Sequence, residues 1–169
     1  MHSHSDITII GDHLAQSKIR QGVTTEVNGN CGLSPYPLYD DIRRKSLSFI
    51  DVPFVNWNWR TADEYLTGLQ EAKPAINIVS LVGHGGLRAA VIGYDYKKPD
   101  IKQLSQMREQ LSTCFQSGVW GLSTGLGYAP DFYSDEDELC ALAEVVYDYN
   151  RIFSFHIRGE RKTLFKAVN

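Results

Sequence analysis

The 169-residue chain is poor in cysteine. Cys31, Cys114 and Cys140 cannot form a closed disulfide framework, because one thiol is always left over. A reducing, cytoplasmic compartment is the expectation. No apolar run approaches the length of a membrane span, so no membrane partner is expected. The opening MHSHSDITIIGDH has no basic region ahead of an apolar stretch and does not read as a signal peptide. Positive charge is not in excess either. Lys and Arg total 17 against 20 Asp and Glu, a net charge of -3, which argues against a nucleic-acid partner. The one dense basic cluster, RGERK at 158–162, is short and mixed in sign. Internal repeats and low-complexity tracts are lacking. So are a phosphate-cradling glycine loop followed by Lys-Ser/Thr, a GxSxG elbow and an HExxH pair.

What is present is an alternation of short apolar runs and amphipathic windows. Apolar residues make up 43% and charged residues 22%, enough for one domain with a core. The runs are 22–29, 76–85, 118–125 and 151–157, each rich in Val, Ile or aromatic residues and ending in Gly or polar residues. Between them lie helical patterns. Thr61 and Glu64 form a capping box ahead of Ala62, Tyr65, Leu66 and Leu69. Leu104, Met107, Leu111 and Phe115 share a face of the next helix, which stops at Gly118. Ser134 is the expected cap of a third, with Leu139, Leu142, Ala143 and Val146 as its buried face and Asn150 as a left-handed stop. An earlier helix is expected over 12–21, ending at Gly22. This βαβα order predicts an α/β fold with a parallel sheet, either a small open sheet or part of a closed barrel, which needs about 250 residues. Residues 33–60 show no long helical pattern and read as a long loop. In it Trp57 and Trp59 either line a pocket or anchor the loop to the body.

The polar residues fall at matching places. Cys31 follows the first run, His84 the second, Ser123 and Thr124 close the third, and His156 closes the fourth. Strand ends of a parallel sheet share one face, where α/β enzymes place their sites. His2 and His4 add two imidazoles facing one way in an extended segment. Two nitrogens and a thiolate suit a borderline-soft ion such as zinc. Other readings stand beside this one. A leading His-x-His can be disordered, and Cys31 can be a small buried residue or a reactive thiol. His156 can be a core histidine bonded to a carbonyl, with Arg158 and Glu160 either holding its tautomer or paired together. The glycines around His84 permit close approach of a ligand. His13 reads as surface, and Cys114 and Cys140 read as core. A thiol hydrolase pairing Cys31 with His84 or His156 is also open.

Five blocks together resemble the N-acyl-D-amino-acid deacylases (D-aminoacylases) of the amidohydrolase superfamily. They are MHSHSD at 1–6, QGVTTEVNGNCG at 21–32, LVGHGGLRAAVIG at 81–93, GVWGLSTGLGYAP at 118–130 and FHIRGE at 155–160. The resemblance implies a (β/α)8 barrel beside a small β-sandwich, and zinc-dependent hydrolysis of the N-acyl amide of a small-molecule N-acyl-D-amino acid. His2 and His4 then match the HxH of the first barrel strand, Cys31 the cysteine on the tightly held zinc, and His156 the first of two later metal histidines. Tyr128 matches a tyrosine near the reacting end of the substrate, and His84 and Arg158 are expected on the substrate side. The metal polarises the acyl carbonyl and holds hydroxide, while an aspartate moves the proton. That aspartate and the second later histidine would lie beyond residue 169, so no catalytic residue is identified within the chain. Gly159 stands where the family has aspartate, and Asp6 belongs to the strand-end segment.

The resemblance thus implies one domain, 1–169, that is an N-terminal part of a TIM-like barrel, lacking the later strands and the accessory β-sandwich. Its exposed strand edge implies a partner: a second copy, the missing barrel half or a chaperone. Besides the deacylase and the thiol hydrolase, a non-catalytic metal-binding or assembly module is a third reading.

Overall fold

The computed structural model describes residues 2–38, 47, 52 and 54–168. The described helices and strands run α1 (Thr8–Gly11), α2 (Gln16–Ile19), β1 (Thr25–Asn28), α3 (Ala62–Ala72), β2 (Asn77–Gly83), α4 (His84–Val91), α5 (Ile101–Gln116), β3 (Gly121–Gly125), α6 (Glu136–Asp148), β4 (Ile152–His156) and α7 (Leu164–Val168). Single 3-10 turns cover Asp131–Tyr133 and Arg161–Thr163. The strands pair in parallel in the order β1-β2-β3-β4, and His2 bridges Val27 in parallel on the outer side of β1. The architecture is α/β with a curled, half-barrel parallel sheet. No helix among the described residues is long and apolar enough to cross a membrane.

Local chemistry explains most boundaries. The Thr61 hydroxyl accepts from Glu64 N while the Glu64 carboxylate takes Thr61 N, which closes the capping box of α3. Asp100 and Gln103 do the same for α5, a pair the sequence reading passed over. Helix α5 buries Met107, Leu111, Cys114 and Phe115, and Asn150 ends α6 in the left-handed region with φ of 50°. The cap of α6 is Asp135 and not Ser134. The Ser134 hydroxyl is spent on Asp131 O at 2.7 Å, whereas the Asp135 carboxylate accepts from Glu138 N at 3.0 Å. The buried face of α6 is also rotated from the expected one. Glu138, Leu142, Val145 and Val146 are buried, Leu139 and Ala143 are half-buried, and Cys140 is exposed, not core. The face turns toward Glu138 because that carboxylate has cationic partners on α4.

Two further expectations change. The helix expected over 12–21 shrinks to the single turn of α2, Gln16–Ile19, which begins after Ala15 takes φ of 43°; α1 ends ahead of it at Gly11. Helix α4 takes the last two residues of the 76–85 run, His84 and Gly85, and continues to Val91 where no helix is expected, because Gly85 and Gly86 lower helix propensity. Of the 33–60 loop, residues 39–46, 48–51 and 53 lie outside the described residues, and the rest of it forms no helix or strand. Trp57 and Trp59 are buried anchors, stacked at 5.6 Å, and Trp59 donates its indole N–H to Pro35 O at 3.0 Å. Together with Tyr36, Tyr65, Val82, Leu122 and Leu142 they form one core between sheet and helices.

Candidate metal centre

Strand β1 ends in a turn whose backbone only certain residues accept. Gly29, Cys31 and Gly32 have φ of 76°, 56° and 70°. A Cβ on Gly29 would lie 1.9 Å from Leu81 O, so the turn presses directly on β2. The neighbouring strands hold it by named bonds. Gly83 N donates to Ser34 Oγ at 2.9 Å, Gly32 N donates to Ser123 Oγ at 3.0 Å, and the Ser123 hydroxyl donates to Gly29 O. Asn30 Nδ2 donates to Val27 O at 2.5 Å and to Ser3 O at 3.1 Å, joining the turn to the His2–His4 segment. The Tyr128 hydroxyl donates to Cys31 O. Cys31 is thus a side chain carried on a heavily braced turn, half-buried at its surface.

His2 and His4 come to the same place by strand alternation. Ser3 N donates to Val27 O at 3.0 Å, which fixes the segment as an added strand residue pair beside β1. The two Nε2 atoms are 3.4 Å apart, and Cys31 Sγ is 3.7 Å from His2 Nε2. One donor atom from each of His2, His4 and Cys31 lies within 4.8 Å of the others. Burial, and then the neighbouring His2 and His156 rings, lowers the pKa of His4, which favours the neutral, ligating imidazole. Burial raises that of Cys31, with Asp131 adding to the effect and the Tyr128 hydroxyl opposing it. A thiol poised for nucleophilic attack needs the reverse shift. In these surroundings the thiol keeps its proton unless a bound cation displaces it, and the two adjacent imidazoles are the company of a ligand.

The remaining expected residues stand around this group. His156 ends β4 outside the three-donor cluster. Its ring meets Tyr128 edge-on at 5.4 Å, and its Nε2 is 3.7 Å from Glu160 Oε1. Tyr128 is half-buried, and burial followed by Cys31 pushes its hydroxyl pKa upward. His84 heads α4 with 0% exposure, so its ring reaches no open surface. Its Nε2 meets Glu138 Oε1 at 2.7 Å and its Nδ1 faces Asp131 Oδ2 at 3.5 Å. Burial alone would lower its pKa, but the Asp131 and Glu138 carboxylates outweigh burial and lift it to about 9. Arg158 donates to Phe132 O at 2.7 Å and to Ser134 O, so it holds the 131–134 segment. Ser123 is buried and committed to the turn. Asp6 is buried, and burial lifts its carboxyl to about 7 against the backbone amides of Asp6 and Gly29.

Sequence reading missed several participants. Asp131 takes Gly125 N at 2.6 Å, and its carboxylate fills the space beside Gly32 and Gly85. Arg88 pairs with Glu138 inside the molecule. Lys18 and Glu26 lie behind the His2–His4 segment.

No protein-family model matches the chain. It is similar to an N-acyl-D-glutamate deacylase of Alcaligenes xylosoxydans xylosoxydans, with 31% identity over 170 residues, 99% of this chain and 34% of that protein. The chain thus spans about a third of the length of the curated relatives it matches. Among solved structures it is similar to a D-aminoacylase that defines a novel subset of amidohydrolases, with a TM-score of 0.90 and 28% identity, covering 99% of this chain and 35% of that one. It is also similar to an N-acyl-D-glutamate deacylase from Bordetella bronchiseptica complexed with zinc and a phosphonate mimic of the tetrahedral intermediate. There the TM-score is 0.87 and the identity 30%, over 99% of this chain and 35% of that one.

Proposed function

The chain is related over 99% of its length to the N-acyl-D-amino-acid deacylases of the amidohydrolases, and on that premise we propose that it carries the zinc-binding part of a site that hydrolyses the N-acyl amide of N-acyl-D-amino acids. The observation that supports this most is the meeting of His2, His4 and Cys31 donors. Two of the three donor spacings, 3.4 and 3.7 Å, are close to the edges of a tetrahedral site, and the third lies within 4.8 Å. Such edges are about 3.3–3.6 Å for Zn–N of about 2.0–2.1 Å and Zn–S of about 2.3 Å. The donor chemistry, two imidazoles and a thiol that loses its proton to a metal, suits zinc.

When bound, zinc supplies Lewis-acid polarisation of an acyl carbonyl and of water. The chain's own residues do the rest. Cys31 acts as a ligand, and the braced turn 29–32 sets its direction. His156 offers a further donor from the end of β4. Tyr128 borders the substrate's reacting end in this reading, which its position between Cys31 O and the His156 ring supports. Arg158 and His84 serve the substrate side from behind, through the 131–134 segment that both hold. The sheet is part of a (β/α)8 barrel. The half-exposed Ile152 and Phe155 on β4 are covered by a second copy or by further barrel strands. Zinc-loaded protein is expected to release the free amino acid from N-acetyl-D-glutamate or another N-acyl-D-amino acid, and not from the L enantiomer. Bound zinc with no turnover of any such amide would contradict the deacylase reading and identify a non-catalytic metal-binding module.

A further inference from the structure

The pattern HSHS places two imidazoles on one side of an extended segment and two hydroxyls on the other. The hydroxyl side is fully engaged. Ser3 Oγ donates no further than Ser5 Oγ, 3.0 Å away, and accepts from Lys18 Nζ at 3.1 Å. Ser5 Oγ donates to Glu26 Oε2 at 2.6 Å, with Asn28 Oδ1 at 3.5 Å. Lys18 also pairs with Glu26 Oε1, so the two serines, the ammonium and the carboxylate close a ring of contacts. Glu26 is 0% exposed in the middle of β1, and the Lys18 side chain is 29% exposed.

A carboxylate withdrawn from water inside a strand is expensive unless paired, and an apolar residue of similar volume usually serves stability as well or better. What the charged group adds is direction. Its two oxygens are fixed by the backbone of β1, one held by Lys18 and one by Ser5. Ser3 and Ser5 flank His4, and Ser3 separates it from His2. Apart from this ring, the segment is tied to β1 through Ser3 N to Val27 O, Asn30 Nδ2 to Ser3 O, and the His2–Val27 bridge. Those contacts set the height of the segment on the sheet. The Ser5 carbonyl is held as well, by Ile9 N at 2.9 Å and Thr8 Oγ1 at 3.2 Å, and the ring adds a side-chain grip on the face opposite the imidazoles, against a roll that would swing them away from Cys31.

We propose that Lys18 and Glu26 are positioning residues that grip Ser3 and Ser5 from behind, locking His2 and His4 in the orientation in which they meet Cys31. The inference rests on the metal-site reading above. Outer partners that orient metal ligands typically matter by about 10- to 100-fold in metal affinity.

The test measures zinc affinity by competition with a chromophoric chelator, and the absorption spectrum of the cobalt-substituted protein, for wild type, Lys18→Met, Lys18→Arg and Ser5→Ala. The clamp predicts zinc binding weakened about 10-fold or more in Lys18→Met and Ser5→Ala, with Lys18→Arg close to wild type. It also predicts weaker cobalt ligand-field bands in the first two variants, while the thiolate charge-transfer band from Cys31 persists. A merely structural role would leave the spectrum of folded protein unchanged. Ser5→Ala removes one hydroxyl and keeps the buried ion pair, so it decides the matter if Lys18→Met does not fold. Wild-type affinity and spectra in both variants would overturn the clamp and leave the metal site standing. A wild type that takes up neither metal would overturn the metal site itself.

Discussion

At the scale of single residues, surroundings decide what a side chain can do. His84 is the clearest case. Two carboxylates hold it cationic up to about 9, well above its ordinary 6.5. The folded state therefore binds a proton more tightly than the unfolded chain. That contribution to stability is complete below pH 6.5 and is lost as pH rises from 6.5 through about 9. The limiting slope for one proton is about 1.4 kcal/mol per pH unit. Thermal melts of wild type and His84→Gln across this window should converge as pH rises, with the wild type losing stability faster. Parallel curves would contradict a charged His84. The role of His84 was not legible from the sequence. Its partner Glu138 is 54 positions away, and only the packed fold reveals the pairing. His2, His4 and Cys31 were legible as a group because two simple rules, strand alternation and the shared edge of parallel strands, bring them together.

At the scale of elements, the turn after β1 carries the argument. Gly22 and Gly29 have nearly the same left-handed φ, 79° and 76°, but different surroundings. A Cβ at Gly22 meets nothing within 4 Å, whereas one at Gly29 would collide with Leu81 O. Gly22→Ala should therefore cost only the conformational penalty, about 1–2 kcal/mol. Gly29→Ala should cost more than about 3 kcal/mol, because the turn must leave β2. Denaturant midpoints of the two variants check this, and equal losses would contradict the bracing described for the Cys31 turn. Elements with a local cue were readable: the Thr61 capping box, the left-handed stop at Asn150, and the apolar runs of the four strands. Helix α4 and the rotated face of α6 were not. Their positions are set by glycines that only the tertiary packing justifies and by a buried ion cluster.

At the scale of the whole molecule, the donor group belongs to the sheet and not to any one segment. Residues 2–5 lie on β1, and the 29–32 turn is fastened to β2 through Ser34 and to β3 through Ser123. Tyr128 and His156 approach from the far strands. The parallel α/β order was legible because each strand run is followed by a helical pattern. The curl of the sheet, which carries β4 round toward the first strand, was not, since no single residue encodes it. Metal binding should therefore require the folded chain and in turn stabilise it. The most direct test of the account is the zinc content per folded chain, by elemental mass spectrometry on tag-free protein, for wild type and Cys31→Ser. Near-stoichiometric zinc in the wild type, lost in Cys31→Ser while the fold persists, is the predicted result. A well-folded wild type that holds no zinc after zinc is supplied, or a Cys31→Ser variant that holds as much as the wild type, would contradict it.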